Sequence, residues 1–425
     1  MTVENTTAEL NWAGNHRYRA ARIEHPGSVE ELAGIVAGAE RVRALGSRHS
    51  FNDIADTEGT LVCLDRIAAG IVIDAEAMTV RVGAGVRYGT LATELARQGF
   101  ALHNLASLPH ISVAGAVATA THGSGDRNGN LATAVVGLRF IDGAGREHTV
   151  SRAATPDFAG YVVGLGALGI VTELTLRIEP HFTVAQHVLE DLPWENVLAN
   201  LDAVTSAAYS VSLFTDWRAD TVGQAWFKRR AATGATDPGA PSSFFGGRAA
   251  AAPRHPVPGV SAENCTEQLG VPGSWADRLA HFRMDYLPSS GDEIQSEYLV
   301  GREHAVAAIA AMRALSGTIS PLLQVAEIRT IAADDLWLSP NHGRDGIGLH
   351  FTWQPDQPAV ERVLPVIEAA LAPFGARPHW GKAFHAGAAE LAPLYPRFDD
   401  FRALARRLDP EGKFRNGFLD RVVPA

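Results

Sequence analysis

Cysteine is nearly absent: Cys63 and Cys265 are the only two in 425 residues. Two are too few for a disulfide framework, so a reducing, cytoplasmic compartment is the expectation. Positive charge is also short. Thirty-seven Lys and Arg face 47 Asp and Glu, a formal net charge of −10. With no basic run to offset it, this balance excludes a nucleic-acid polyanion as partner. No apolar run reaches the roughly 20 residues that span a bilayer, so no membrane segment is expected. The start, MTVENTTAELNWAGN, lacks the basic-then-apolar order of a signal peptide. Sixteen histidines are present, yet HExxH, CxxC and EF-hand spacings are missing, and the expectation is no metal. Walker A and G-x-S-x-G are missing too, which removes P-loop and serine-hydrolase chemistry.

What remains is 46% hydrophobic and 20% charged, the composition of a globular chain long enough for two domains. Ser28 with Glu31 fits a helix start, followed by apolar Leu32, Ile35 and Val36 on one face and an end at Ala39. Residues 42–45 read as a short strand entering a Gly46 turn. LVCLDRI and IVIDAEAMTVRVGAG alternate as half-buried strands, and residues 89–99 as a helix closed by glycine. The run from Ala106 to about Gly125 is built almost wholly of Ala, Gly, Ser, Thr and Val. Small residues allow close backbone approach, to another element or to a flat ligand. A hairpin turns at Gly143–Gly145, and GIVTELTLRIEP is a strand. Texture changes near Phe182, where strand, helix and strand open a second unit. Residues 231–259, rich in Ala, Gly and Pro, read as a long surface loop.

Gly164-Leu-Gly-Ala-Leu-Gly169 matches the dinucleotide fingerprint G-x-G-x-x-G. That motif works only when its glycines open a helix whose amides hold a pyrophosphate. Here an alternating strand, IVTELTLRI, follows, so an NAD-type reading is the minor alternative.

Three stretches together, Gly46-Ser-Arg-His-Ser50, Ala106 to Gly125 and His379-Trp-Gly-Lys382, resemble the vanillyl-alcohol-oxidase type of FAD oxidoreductase. Within that group the chain is most similar to the alditol (xylitol/sorbitol) oxidases, through NLASLPHISVAGAVATATHGSG, SVSLFTDWR, NCTEQ, QSEYL, EIRTIAAD and ARPHWGK. The resemblance runs from Asn11 to Asn416. It implies an α+β, two-domain PCMH-type fold: an FAD-binding domain over 1–180, a substrate domain over the flavin at 181–378, and a return to the FAD domain at 379–425. It also implies a monomer.

In this family the histidine of the G-S-x-H-S turn is joined covalently to the flavin, and His49 holds that position. An imidazole is a nucleophile near neutral pH, and small neighbours clear its path. Amides of Gly46, Ser47 and Ser50 would serve the FAD phosphates as an anion nest. Arg48 departs from the family's frequent glycine. A bulky residue there implies an ordinary backbone conformation and altered phosphate contacts. No cysteine lies near His122-Gly-Ser-Gly, so a single tether is expected. The resemblance also places Ser107, Ser112, Gly115, Thr119, Ala120, Thr121 and His122 along the diphosphate and ribityl chain. It puts Ile170 and Val171 near the flavin through their backbone, and Thr352 and His379 on the cofactor side.

Glu327 and Arg329 are two apart on a strand and share a face, as do His350 and Thr352. Spacing alone reads the first two as an exposed ion pair. The resemblance instead implies that Glu327 and Arg329 hold polyol hydroxyls, with Ser107, His350 and Lys382 at the reacting end. Lys382 and His350 would polarise the C1 hydroxyl and take its proton while a hydride passes to flavin N5. Oxygen then reoxidises the flavin, giving an aldose and hydrogen peroxide. A sugar-1,4-lactone oxidase or dehydrogenase on the same fold is the main alternative.

Overall fold

The computed structural model describes residues 9–67, 70–231, 243–286 and 292–425. Ser28 caps the first helix, Val29–Gly38, accepting from the Glu31 amide at 3.2 Å. The Glu31 carboxylate reaches past it to the Gly27 amide at 2.7 Å. Leu32 and Val36 on this helix pack against Val42, Val62, Ile141, Ile170 and Phe414 in a small apolar cluster.

Three short parallel strands, in the order Arg22–Glu24, Thr60–Val62, Val42–Ala44, form one layer of the N-terminal half. A five-stranded antiparallel sheet forms the other. Its order is Ile71–Asp74, Thr79–Gly83, Ile170–Arg177, Val135–Ile141, Glu147–Ser151. The small-residue run folds as a loop and a six-residue helix, Val113–Ala118, with residues on both sides lining a cavity.

A ten-stranded sheet built from residues 183–378 dominates the rest, and its adjacent strands are antiparallel. Its centre is Ser210–Thr215, Leu323–Ile331, Gly346–Trp353 and Ile294–Gly301. Period-two alternation splits their side chains between two faces. One face is apolar: Ile328, Leu349, Phe351 and Trp353 are buried there, and Tyr298 bonds Glu368 on the helix Gln357–Leu371 at 2.8 Å. The other face carries Glu297, Glu327, Arg329, His350 and Thr352, all buried.

The tail packs back on the N-terminal half. The Val42 amide donates to the Lys413 carbonyl at 2.9 Å, and Asn416 Nδ2 donates to the carbonyls of Asp53, Ile54 and Asp56. Residues 231–259 are not all loop. Ser243–Phe244 and Gly247–Ala249 pair as a hairpin and add to the sheet edge at Leu189 and Glu190; residues 232–242 lie outside the described residues. Among the described residues no helix is long and apolar enough to cross a membrane.

Candidate active site and cofactor cavity

A cavity of about 800 Å³ separates the two halves. Its walls are the turn after Val42–Ala44, the small-residue run, the GLGALG segment and the charged face of the large sheet. The two sequence-distant motifs meet here. Asn52 Nδ2 donates to the carbonyls of Trp380 (2.9 Å) and Lys382 (2.7 Å), and the Phe51 amide donates to the Gly381 carbonyl at 2.9 Å.

The His49 ring lies parallel to Trp12, with centroids 5.1 Å apart, and its Nδ1 donates to the Ser47 carbonyl at 2.8 Å. Burial pushes its pKa down to about 4, so the imidazole is neutral and keeps a nucleophilic nitrogen at physiological pH. Arg48 overturns the expectation of an ordinary backbone: its φ is +62°. That left-handed conformation costs a non-glycine residue roughly 1–2 kcal/mol. Three contacts hold it. Trp12 N–H donates to the Arg48 carbonyl at 2.8 Å, Trp12 stacks on the next residue, and Arg48 Nε lies 3.1 Å from Glu9 Oε2. Its guanidinium is thus turned toward Glu9.

Opposite this turn, the Ser112 amide donates to Ser47 Oγ at 3.1 Å. A Cβ on Gly46 would stand 2.8 Å from Ser112 Oγ, and one on Gly115 2.7 Å from it, so a side chain at either position would require the Ser112 hydroxyl to turn away. Among the described residues, the amides of Gly46 through Ser50 have no acceptor. Amides on residues that line a cavity, beside a run of small residues, suit an anionic, flat, elongated group, and FAD is one.

Of the cofactor-side residues expected from sequence, Gly46, Ser47, Arg48, His49, Ser50, Ser107, Ser112, Gly115, Thr119, Thr121, His122, Val171, Thr352 and His379 line the cavity. Two do not. Ala120 is turned inward at φ +53° and is 1% exposed, its N–H donating to the Val117 carbonyl. Ile170 points into the apolar cluster beneath the first helix, because alternation sends its neighbours Gly169 and Val171 to the cavity instead.

The charged face of the large sheet carries a row across three strands: Glu297, His350 and Glu327 are directly opposite one another. Sequence reasoning missed Glu297, the hub of this row. Its Oε1 accepts from Arg329 Nη2 at 2.7 Å and its Oε2 from Lys382 Nζ at 2.5 Å; His122 Nε2 lies 3.4 Å away. Its signal was parity: it lies two residues beyond Gln295 on a strand whose alternate residues are core. The Arg329 side chain crosses to Glu297 over Gly348, where a Cβ would stand 2.9 Å from Glu297 Oε1. Burial alone would raise the Glu297 carboxyl, but Arg329, Lys382 and His122 hold it well below the usual range.

Lys382 Nζ also lies 2.7 Å from His350 Nδ1, and His350 Nε2 lies 3.1 Å from Thr352 Oγ1. Burial pushes the pKa of both downward, for His350 with help from the Lys382 charge. Glu327 and Arg329 are buried at 4% and 5% exposure, which removes the exposed-ion-pair reading. Burial would raise the Glu327 carboxyl, yet Arg329 and His281 hold it far below its ordinary value. Ser107 Oγ is 3.4 Å from Arg329 Nη1. His122, Glu297 and His379 bring potential ligand atoms within 4.8 Å of one another, but both Glu297 oxygens already accept from cations of the chain. Cys63 lines the same cavity as a buried free thiol.

An FAD binding domain model matches residues 20–151, and a D-arabinono-1,4-lactone oxidase model matches residues 282–422. An alditol oxidase from Streptomyces sp. is 50% identical, over 97% of this chain and 98% of that protein. An L-gulono-1,4-lactone dehydrogenase from Mycobacterium tuberculosis is 30% identical, with 97% and 98% covered. The cholesterol oxidase of Brevibacterium sterolicum superposes with a TM-score of 0.77 at 17% identity, over 98% of this chain and 96% of that one, a likeness of fold. Fold and cavity together define a two-domain α+β FAD-dependent oxidoreductase. Full-length agreement at 50% then fixes its place: the chain belongs to the alditol oxidase family.

Proposed function

We propose that this chain oxidises the terminal CH–OH of alditols such as xylitol and sorbitol to the aldose, with FAD bound in the cavity and O₂ as acceptor. The observation that carries this reading is the buried row Glu297–His350–Glu327, flanked by Arg329 and Lys382, on the sheet face that closes the cavity. Ser47, Ser112, Gly115, Thr119, Thr121 and His122 would hold the cofactor, with His49 as its single covalent anchor. When bound, FAD supplies the two-electron acceptor for the substrate's hydride and passes the electrons to O₂ as hydrogen peroxide.

The proton is handled by the chain. Lys382 Nζ and His350 Nδ1 share one short axis, so a proton on it can sit on either nitrogen. In the proton-rich form the ammonium donates to Nδ1 and Nε2 carries a hydrogen. In the proton-poor form the amine accepts from Nδ1–H, and Nε2 presents a lone pair beside Thr352 Oγ1. That lone pair takes the hydroxyl proton as the C–H bond breaks. Nδ1 then gives its own proton to the amine, and the positive charge comes to rest on Lys382, 2.5 Å from Glu297. Glu327 and Arg329 accept from and donate to hydroxyls beyond C1, so an apolar alcohol would leave a buried charged pair without partners.

The proton-poor form is the active one, so kcat/KM rises with pH through the couple's apparent pKa and is lost as pH falls through it. Burial depresses both members, so the limb lies below the ordinary lysine value of about 10.4. Because the titration belongs to the pair, Lys382→Met and His350→Gln must both displace the same limb. A limb that stays in place in both variants rules the couple out as base.

The function itself is tested by anaerobic bleaching of the flavin with xylitol, sorbitol and gulonolactone, followed by air. Bleaching by the polyols and recovery with peroxide formation is the expected result. Bleaching by the lactone alone would assign the chain to the lactone oxidases.

A further inference from the structure

One buried cation is unused by this chemistry. Lys228, in the strand Thr221–Ala231, is 1% exposed, and no carboxylate lies within ion-pair distance of it among the described residues. Its Nζ donates to the carbonyls of Arg278 (2.9 Å), Leu279 (2.6 Å) and Ala280 (2.8 Å), and lies 3.2 Å from His281 Nδ1. On the far side of that ring, His281 Nε2 lies 2.8 Å from Glu327 Oε1. The ring edges of Trp226 and Phe214 stand against it at 5.2 and 5.7 Å. His281 lines the cavity. The His281 and Phe282 amides both donate to the Ser107 carbonyl, at 3.1 and 3.2 Å.

The donor inventory determines which nitrogen carries the proton. Carbonyls only accept, so three of them around one amine call for its three-donor ammonium form. An ammonium has no lone pair to receive an Nδ1–H, so His281 Nδ1 must turn its own lone pair to the cation, sharing a hydrogen with one of the carbonyls. The ring proton is therefore on Nε2, where it donates to Glu327. Burial pulls the His281 pKa down to about 4, which keeps the ring neutral. Burial also pulls Lys228 down to about 7, against the opposing charge of Glu327, so the tautomer is read below pH 7, where the ammonium form prevails.

Resting on the alditol reading above, we propose that Lys228 and His281 are positioning residues that determine polyol specificity. Lys228 fixes the His281 tautomer, and His281 fixes Glu327 by its side chain and Ser107 by its backbone. One carboxylate oxygen is thereby occupied by His281, and the other faces Arg329 and the hydroxyls beyond C1. Substrate contacts from the two halves of the molecule are thus held in register by a single residue.

The test uses flavin-loaded His281→Leu, His281→Gln and Lys228→Met. Glutamine can donate to Glu327 and accept from Lys228 as histidine does; leucine can do neither. His281→Leu is expected to raise KM for xylitol about 10- to 100-fold, the range for losing a hydrogen bond to a charged group, with kcat changed less than about threefold. His281→Gln is expected to return KM to within about threefold of the parent. If kcat and KM deteriorate together and glutamine rescues neither, the residue is merely structural and the proposal fails. Independently of turnover, ¹⁵N-histidine spectra of the parent should show His281 as the neutral Nε2–H tautomer, assigned by its disappearance in His281→Gln. Lys228→Met should disturb that tautomer. An Nδ1–H ring in the parent, or an unchanged signal in Lys228→Met, overturns the relay. A parent that ignores xylitol while showing the Nε2–H signal would instead refute the alditol reading and leave the relay standing.

Discussion

Glu297→Gln lowers kcat/KM for xylitol by about 10²–10³-fold. The glutamine is nearly isosteric, so the loss reports charge. In the parent, Glu297 is the one carboxylate among the described residues that holds both Arg329 and Lys382. Removing one partner of a buried charge pair costs about 3–5 kcal/mol because the remaining charges stay out of water, and each 1.4 kcal/mol is a factor of about ten in rate. Lys382 relieves part of that cost by giving up its proton, so the pH limb of the Lys382–His350 couple shifts downward as the rate falls. Steady-state kinetics across pH checks both effects. A variant within about threefold of the parent at every pH would show that the positive charge does not come to rest beside Glu297.

The second large effect is at the anchor. With His49 as the proposed covalent anchor, acid precipitation of the parent is expected to carry the yellow colour into the pellet, and in His49→Ala all of it is expected to remain in the supernatant. His49 faces the cavity as a neutral imidazole, stacked on Trp12 and fixed by Ser47. The substitution also removes the ring that helps hold Arg48 in its left-handed conformation. The thermal midpoint without flavin should therefore drop by about 1–2 °C, what a loss of about 1–2 kcal/mol gives in a chain of this length. Flavin still bound to the precipitate in His49→Ala would place the tether on another side chain.

The sequence made much of this legible because strands expose their side-chain parity. Glu327, Arg329, His350 and Thr352 were assigned to shared faces by spacing alone, and the sheet carries them on the cavity side. Spacing could not show that this face is buried, because burial depends on an N-terminal half more than a hundred residues away. That is why Glu327 and Arg329 read as a solvated pair. Glu297 escaped for a related reason: a lone carboxylate in a strand has meaning only when the strands beside it are known. Lys228 and His281 belong to different elements and meet only through tertiary packing. Arg48 departs from the ordinary backbone that its bulk predicts. The left-handed backbone is expensive for arginine, but Trp12 and Glu9 make local contacts that hold it there.

An enzyme that releases hydrogen peroxide must survive its own product. Cys63 lines the cavity in which that product would form, and a thiol is attacked through its thiolate. Burial raises the Cys63 pKa and raises that of Cys265 to about 12, which disfavours the thiolate in both. Two cysteines, both buried and both with a disfavoured thiolate, leave that product few thiols of this chain to oxidise.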